Sequence, residues 1–481
     1  MSRVSGRPQQ SKAADQRERR SSLLAGIGVI GLSDIEPVIL AALVTEAPLL
    51  LIGPHGTGKS LLLTRIAEAL SLDFRHYNAS LLNFDDLVGF PLPNQNGSLD
   101  YVKTPAAIWG AEAVIFDEIS RCRPDIQNKL FPIVHERRAQ GILLEGLRYR
   151  WAAMNPPLTE DADEGYLGSE PLDTALADRF GFIVNIPAWE RYTEAEQLAI
   201  ILSDDAPVTA DAASILRRAI AVAKATLPTI TSTMGEAVAV YVRCLVALLA
   251  QAGISLSPRR ASMLLRSVLA VHAATLTVDP SASPSNSALV AVRNGLPQWA
   301  QGLKIPETKL LAAHREAWKL ADVKPGDPLR AILTTADPVE RVRLAVAATK
   351  LRKGDLSSVV ADAISGLPSG AREAVAVYLF ETDAVGRLNA AVAEQVAEIY
   401  ADVATPLNFS ETLHARNPRF ETWNRIKDIL SRLDANEPRA HLAANALAAC
   451  FAKKELGQPA DADTAFAAWL ETDGRLCGVS A

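Results

Sequence analysis

Residues 51–60 read LIGPHGTGKS, directly after the apolar run APLL. Gly53, Gly56 and Gly58 are crowded together, and Lys59 and Ser60 open a second apolar run, LLLTRIAEAL, with helical spacing. The pattern fits G-x-x-x-x-G-K-[ST]. Its glycines let the backbone curl so that successive N–H groups face phosphate oxygens. The lysine reaches the terminal phosphates, and the hydroxyl holds Mg2+. A helix starting at Lys59 adds its positive end to the same anion. Gly53, Pro54, His55, Gly56, Thr57, Gly58, Lys59 and Ser60 are therefore the candidate phosphate-binding residues, with His55 at the loop tip. Residues 47–52 (APLLLI) read as a buried strand and 59–70 as a helix, the setting such a loop requires.

A second group follows at AVIFDE (113–118), a short apolar strand ending in two carboxylates. Asp117 at the end of that strand fits a Mg2+ ligand, as does Ser60. Glu118 fits the base that orients and deprotonates an attacking water. The strand inside AQGILLEGLRYRWAAMNPP (139–157) ends at Asn155, which can touch the terminal phosphate or the water; alternatively it only starts the N-P-P turn. DTALADRFGFIVNIP (173–187) gives a short helix, an Asp-Arg pair and a strand. Arg179 there is either an ion-pair partner of Asp178 or a cation offered to a neighbouring subunit's phosphates.

These groups need a sheet to hold them. DFRHYN (73–78) reads as a strand. Residues 81–112, rich in Pro, Asn and Gly turns, read as an insertion carrying a hairpin, and an amphipathic helix begins after Pro124. A helix capped at Ser33 or Asp34 precedes the phosphate loop. With 481 residues the chain holds about three domains. The net charge of −6 gives no basic field for nucleic acid. The four cysteines form no C-x-x-C pair, so no metal or redox motif appears, and a reducing cytosol is expected. RERRSSLLAGIGVIGL (17–32) superficially resembles an export signal but lacks a small-residue cleavage site. No uninterrupted apolar stretch of about 20 residues is present, so no membrane span is expected.

Taken in order, GPHGTGKS, VIFDEISR, AAMNPP and ALADRF resemble the AAA+ ATPases, and more narrowly the MoxR and dynein-related branch. LVGFPLPN…LDYVKTPAAIW is similar to that branch's helix-2 insert. DEISRCRPDIQNKLFPIVHERR is similar to its D-E-I-N-R-A segment, and ILLEGLRYR to its hairpin before sensor 1. The resemblance covers about residues 31–275. It implies that Lys59 and Ser60 belong to Walker A, Asp117 and Glu118 to Walker B, Asn155 to sensor 1, and Arg179 to the arginine finger. ISLSPRRASMLLRSVLAV (254–271) resembles the sensor-2 helix, which places Arg259 on the sensor arginine with Arg260 and Arg266 as rivals. LSPRR stands where S-P-R-A is usual, and DEIS where D-E-I-N is usual.

The fold expected is an α/β P-loop AAA+ core, a parallel sheet flanked by helices, with a small all-α lid and a C-terminal all-α module. The expected divisions are a disordered tail at 1–22, the nucleotide-binding domain at 23–187, the lid at 188–278 and the helical module at 288–481, with DPSASPSNS (279–287) as linker. Tyr378, Phe380, Tyr400 and Trp423 are assigned to the module's core. The resemblance implies ATP and Mg2+ as cofactors and a homo-oligomeric, hexameric ring in the cytoplasm. It also implies ATP-driven remodelling or activation of a partner protein, such as one with a von Willebrand A domain. Two other classes stay open: a nucleic-acid translocase, with Arg137, Arg138, Arg148 and Arg150 near the hairpin, and a nucleotide-gated scaffold.

Overall fold

The computed structural model describes residues 22–93, 96, 99–102, 104–157, 169–203, 206–324, 326–405, 417–433 and 439–477. The expected tail, up to residue 21, lies outside them. The chain divides into two compact units, 1–321 and 322–481.

The first unit is built on a five-stranded parallel sheet. After α1 (Leu23–Gly26) and α2 (Glu36–Thr45), the phosphate loop runs from β1 (Leu49–Ile52) into α3 (Lys59–Ala69). There follow β2 (Phe74–Asn78), α4 (Phe84–Val88), the β3–β4 hairpin (Phe90–Pro93, Leu99–Val102), β5 (Ala113–Asp117) and α5 (Pro124–Glu136). A second hairpin, β6 (Arg138–Ala139) and β7 (Ile142–Leu143), precedes β8 (Tyr149–Met154), α6 (Thr174–Ala177) and β9 (Phe182–Asn185). The sheet order is β2-β5-β8-β1-β9. LLLI in β1 and AVIF in β5 are fully buried, as strands covered on both faces require. Both hairpins expose apolar side chains: Phe90, Leu92 and Val102 on one, Ile142 and Leu143 on the other.

The start of α2 differs from the expected cap. Neither Ser33 nor Asp34 caps it. The N-cap is Ile35, Pro37 lies in the first turn, and the buried Glu36 carboxylate accepts from Ser22 Oγ (2.6 Å) and Leu24 N (3.1 Å). The helix entrance is thus tied to the preceding segment through a buried acid rather than by a side-chain cap.

Helices complete the unit: α7 (Glu194–Ile201), α8 (Ala210–Gln251), α9 (Pro258–Val278), α10 (Pro284–Arg293) and α11 (Glu307–Ala321). Two of them, α8 and α9, are long and apolar enough to cross a membrane by length and composition. They pack on each other, with α9 also against α2 and α11 against α8. The Pro/Ser-rich stretch 279–287 is a turn followed by the first turn of α10, inside this unit. Ser287 is buried and hydrogen-bonded to His272 Nδ1 (3.1 Å). Beyond it, Asn294 O and Ala300 O accept from Ile183 N (2.8 Å) and Leu172 N (2.9 Å), stitching 294–300 to the strand β9 side of the core. The compact division therefore falls after Ala321, not at 279–287.

The second unit contains only helices among its described residues: α12 (Pro328–Thr334), α13 (Pro338–Ala347), α14 (Lys353–Gly366), α15 (Ala371–Glu381), α16 (Ala390–Ala404), α17 (Pro418–Ser431), α18 (Ala440–Ala452) and α19 (Pro459–Cys477). Tyr378, Phe380, Tyr400 and Trp423 are half-buried and pack around the cores of small aliphatic residues rather than filling them. Phe380 and Tyr400 stack on one another with ring centroids 3.9 Å apart.

Candidate active site

Gly53 leaves β1 with its N–H donated to Met154 O (3.2 Å). A Cβ there would meet Ile186 Cβ at 2.9 Å and Ile186 O at 3.1 Å, so only glycine lets the loop pass this close to the neighbouring chain. Gly58, at φ +77°, is the N-cap that turns the loop into α3, and a helix N-terminus carries free N–H groups suited to an anion. Lys59 is buried and folds back over its own loop. Its ammonium donates to Gly53 O (2.8 Å), Pro54 O (2.7 Å) and Asn155 Oδ1 (3.1 Å). Burial pulls its pKa below the ordinary lysine value, against the opposing pull of Asp117 and Glu118.

The strand order supplies the rest. Because β8 lies between β1 and β5, the C-terminal ends of the three strands place Asn155 between Lys59 and the Asp117–Glu118 pair. Asn155 is almost fully buried. Its Nδ2 points to Glu118 Oε1 at 3.5 Å, and its backbone carbonyl is held by Ser169 Oγ (3.0 Å). It both bridges the site and starts the turn, so the two readings of Asn155 are not exclusive. Ser60 Oγ donates to Asp117 Oδ2 at 2.5 Å. Burial opposes ionisation of Asp117, but hydrogen bonds from His76, Ser60 and the Glu118 N–H outweigh it and hold the carboxyl below its usual range. Glu118 sits at φ +55°, an unfavourable left-handed conformation for a side chain of this size. Its carboxylate lies 3.0 Å from Arg121 Nε.

Two parts of the site were not legible in the sequence. His76 on β2 brings Nε2 to 3.5 Å from Asp117 Oδ2, a consequence of β2 pairing with β5. Beside the phosphate cavity, about 340 Å³, lies a second cavity of about 510 Å³ that shares the loop residues His55–Gly58. Val29, Ile30, Trp189 and Tyr192 give it an apolar wall, a fitting place for a flat base. Gly31 is required there, since a Cβ would fall 2.4 Å from the Tyr192 ring. Gly31 in GIGVIGL was the available signal, but only the folded chain brings it to Tyr192.

Residues 48–180 match the family model of the AAA domain, dynein-related subfamily. This segment is an AAA domain. An uncharacterized Bacillus subtilis protein, YeaC, is 28% identical over 156 residues, 32% of this chain and 47% of that protein. The chain thus spans about half the length of that curated relative. A crystal structure of a candidate ATPase from Cytophaga hutchinsonii is 18% identical, covering 64% of this chain and 98% of that one at a TM-score of 0.41, too distant to carry an argument. The five-stranded parallel sheet flanked by helices fits an AAA+ core.

Ser60 and Asp117 offer the AAA domain's hard oxygen donors at the mouth of the phosphate cavity, a set that fits Mg2+ with waters completing its shell. Such an ion would neutralise phosphate charge. Glu118 and Asn155 are placed to hold a water, and Lys59 to release its loop carbonyls for phosphate oxygens.

The arginines fall elsewhere. None of Arg179, Arg259, Arg260 and Arg266 lines the phosphate cavity of its own AAA domain. Arg179 lies between α6 and β9, donating to Ala175 O (2.6 Å) and lying 4.6 Å over the Phe131 ring. Burial and the nearby Arg259 lower its pKa. With Arg266 it lines a separate cavity of about 510 Å³ at the N-terminal ends of the strands, beside Pro48 and Phe182. Arg259 is exposed and 3.7 Å from Asp178. The hairpin arginines are engaged: Arg137 and Arg148 pair with Glu46 at 3.3 and 3.1 Å, Arg138 donates to Gly141 O, and Arg150 is buried.

Proposed function

We propose that this protein is a Mg2+-dependent ATPase whose active sites are completed in a ring of identical subunits, and that it uses hydrolysis to remodel or activate a partner protein in the cytoplasm. The observation that carries the reading is the separation of Arg179 from its own phosphate cavity. Phosphoryl transfer needs positive charge beyond one lysine and a metal ion, and Arg179 stands on another face of the AAA domain with its Nε buried and unpartnered among the described residues. A cation so placed serves a neighbour's site.

A hexameric, MoxR-like assembly is the form this proposal takes, with Arg259 approaching the same neighbouring phosphates. The exposed apolar side chains on both hairpins favour a protein as the partner, a von Willebrand A domain being one such class. With the neighbouring arginines tied up in ion pairs and carbonyl bonds, they do not favour nucleic acid. The test is ATP turnover against protein concentration for wild type, Glu118→Gln and Arg179→Ala. Each variant alone should keep only a small residual turnover, and mixing them should restore turnover at interfaces holding one intact glutamate and one intact arginine. Specific activity independent of concentration, with Arg179→Ala fully active, would remove the shared site.

A further inference from the structure

Arg260 occupies the position where the resembled S-P-R-A pattern has alanine, and it is completely buried. Burying a guanidinium is costly unless every donor finds a partner. Here all three nitrogens do, and all three partners belong to the segment from the end of α6 to Phe180 that carries Arg179. Nη2 donates to Ala177 O (3.2 Å), Nε to Asp178 Oδ1 (3.3 Å) and Nη1 to Phe180 O (2.7 Å). The residues immediately before and after Arg179 are thus gripped from the first turn of α9. Ser257 reinforces the grip: its hydroxyl accepts from Arg260 N (3.0 Å), capping the helix, and donates to Asp178 Oδ2 (2.8 Å).

We propose that Arg260, with Asp178 as its counter-ion, is a positioning residue that holds the Arg179 guanidinium in the geometry a neighbouring subunit's phosphates require. The inference rests on the reading that Arg179 acts in trans. Arg260 touches no phosphate in this role. It fixes the backbone on both sides of Arg179, and the side chain is then steadied by Ala175 O and the Phe131 ring. The grip comes from the helical region whose earlier residues, Trp189 and Tyr192, wall the base-side cavity. A subunit's nucleotide and the arginine it offers its neighbour are thereby attached to one set of helices.

The experiment compares Arg179→Ala, Arg260→Met, Arg260→Lys and the double variant Arg179→Ala/Arg260→Met, reading kcat, KM for ATP and thermal unfolding. Misplacing a positioned group by about 1 Å costs on the order of 100-fold. Arg260→Met should therefore lower kcat about 10- to 100-fold, with KM within about twofold of wild type. Arg260→Lys, keeping the charge but not the three-way fork, should recover part of the loss. Once Arg179 is gone, Arg260→Met should cost nothing more, because the two act as one unit. Mixing Arg260→Met with Glu118→Gln should restore turnover as mixing with Arg179→Ala does. If Arg179→Ala is inactive while Arg260→Met matches wild type, the positioning role is wrong. Losses that multiply in the double variant, or a KM that rises with kcat unchanged, would also overturn it in favour of a purely structural arginine. If Arg179→Ala itself keeps full activity, the trans reading fails first and takes this inference with it. Should Arg260→Met not fold, Asp178→Asn, which keeps the shape and removes the counter-ion, must show the same kcat loss with unchanged KM, and wild-type kcat there sinks the proposal.

Discussion

Each compact unit gathers a cluster of polar groups around at least one buried member, Lys59 and Asn155 in the first and Glu373 in the second, and the two clusters are built to opposite ends. In the first unit Lys59, Asn155, Asp117 and Glu118 surround an open cavity of about 340 Å³, with bonds that a ligand can replace: a lysine on its own loop carbonyls, a serine on an aspartate, an asparagine 3.5 Å from a glutamate. In the second unit Glu373, Arg372, Glu455 and Ser369 close on one another. Arg372 meets both Glu373 and Glu455 at 2.6 Å, Glu373 also accepts from Gly370 N (2.6 Å), and Ser369 donates to Glu455 (2.7 Å). Glu373, Glu455 and Cys450 lie near enough together to suggest a metal cluster. The carboxylates are already satisfied by an arginine, however, and burial pushes the Cys450 thiol up to about 12, far from a ready thiolate ligand. Polar residues gathered around space do chemistry; polar residues closed on one another hold helices together.

The largest effect that can break this contrast is Glu118→Gln, expected to lower ATP turnover at least about 1000-fold while nucleotide binding persists, by steady-state turnover and equilibrium binding. A variant that kept a tenth of wild-type turnover would show that the cavity's carboxylates are as structural as those of the second unit. The converse change is Arg372→Met. It leaves the nearly buried Glu373 without its cation, which should destabilise the second unit by about 3 kcal/mol in denaturant unfolding of the full chain. Basal turnover should be unaltered, and a loss of turnover without loss of stability would give this cluster a functional part.

How much of this was readable in the sequence follows the same division. The phosphate loop, Asp117–Glu118 and Asn155 were legible because each is a short motif at a strand end, and three adjacent parallel strands bring such ends together by topology. His76 was not, because its approach to Asp117 depends on which strand β2 pairs with. The base-side wall joins residues 29–30 to 189–192, far apart in the chain. The Pro/Ser stretch 279–287 reads as a linker but is no boundary, since what decides a boundary is whether the chain beyond packs back, and 294–300 does. Arg260 looked like a rival to Arg259 because consecutive arginines are indistinguishable until one is buried.

A third change probes the tightness of the closed cluster. Gly370 has φ +90°, and a Cβ there would fall 1.9 Å from the Ala465 carbonyl oxygen, a backbone atom of α19 that cannot swing aside. Gly370→Ala should cost about 2 kcal/mol or more by the same unfolding measurement, since the left-handed backbone and the clash add. Destabilisation well below 1 kcal/mol would mean that α15 and α19 shift apart easily and that the second unit is looser than its polar packing indicates.

The smallest expected effect is a pH slope in the first unit, which also buries polar groups purely for structure. His314 is buried with Nδ1 2.8 Å from Tyr241 Oη and Nε2 3.2 Å from Ser285 Oγ, while Trp318 packs alongside. Burial, then Arg293 and Arg315, lower its pKa from the ordinary value of 6.5, and burial alone lowers that of His272. A histidine whose folded pKa is depressed adds stability above its unfolded pKa, and this is lost as pH falls, because the unfolded chain takes up the proton first. Stability of the first unit should be level above about pH 7 and decline below about 6.5, by on the order of 1 kcal/mol for each histidine per unit of depression. His314→Gln, which keeps hydrogen-bonding capacity without a titrating group, should flatten part of that decline in unfolding midpoints measured between pH 5 and 8. An unchanged slope in that variant would assign the acid sensitivity to His272 or to His135, whose pKa values burial also lowers.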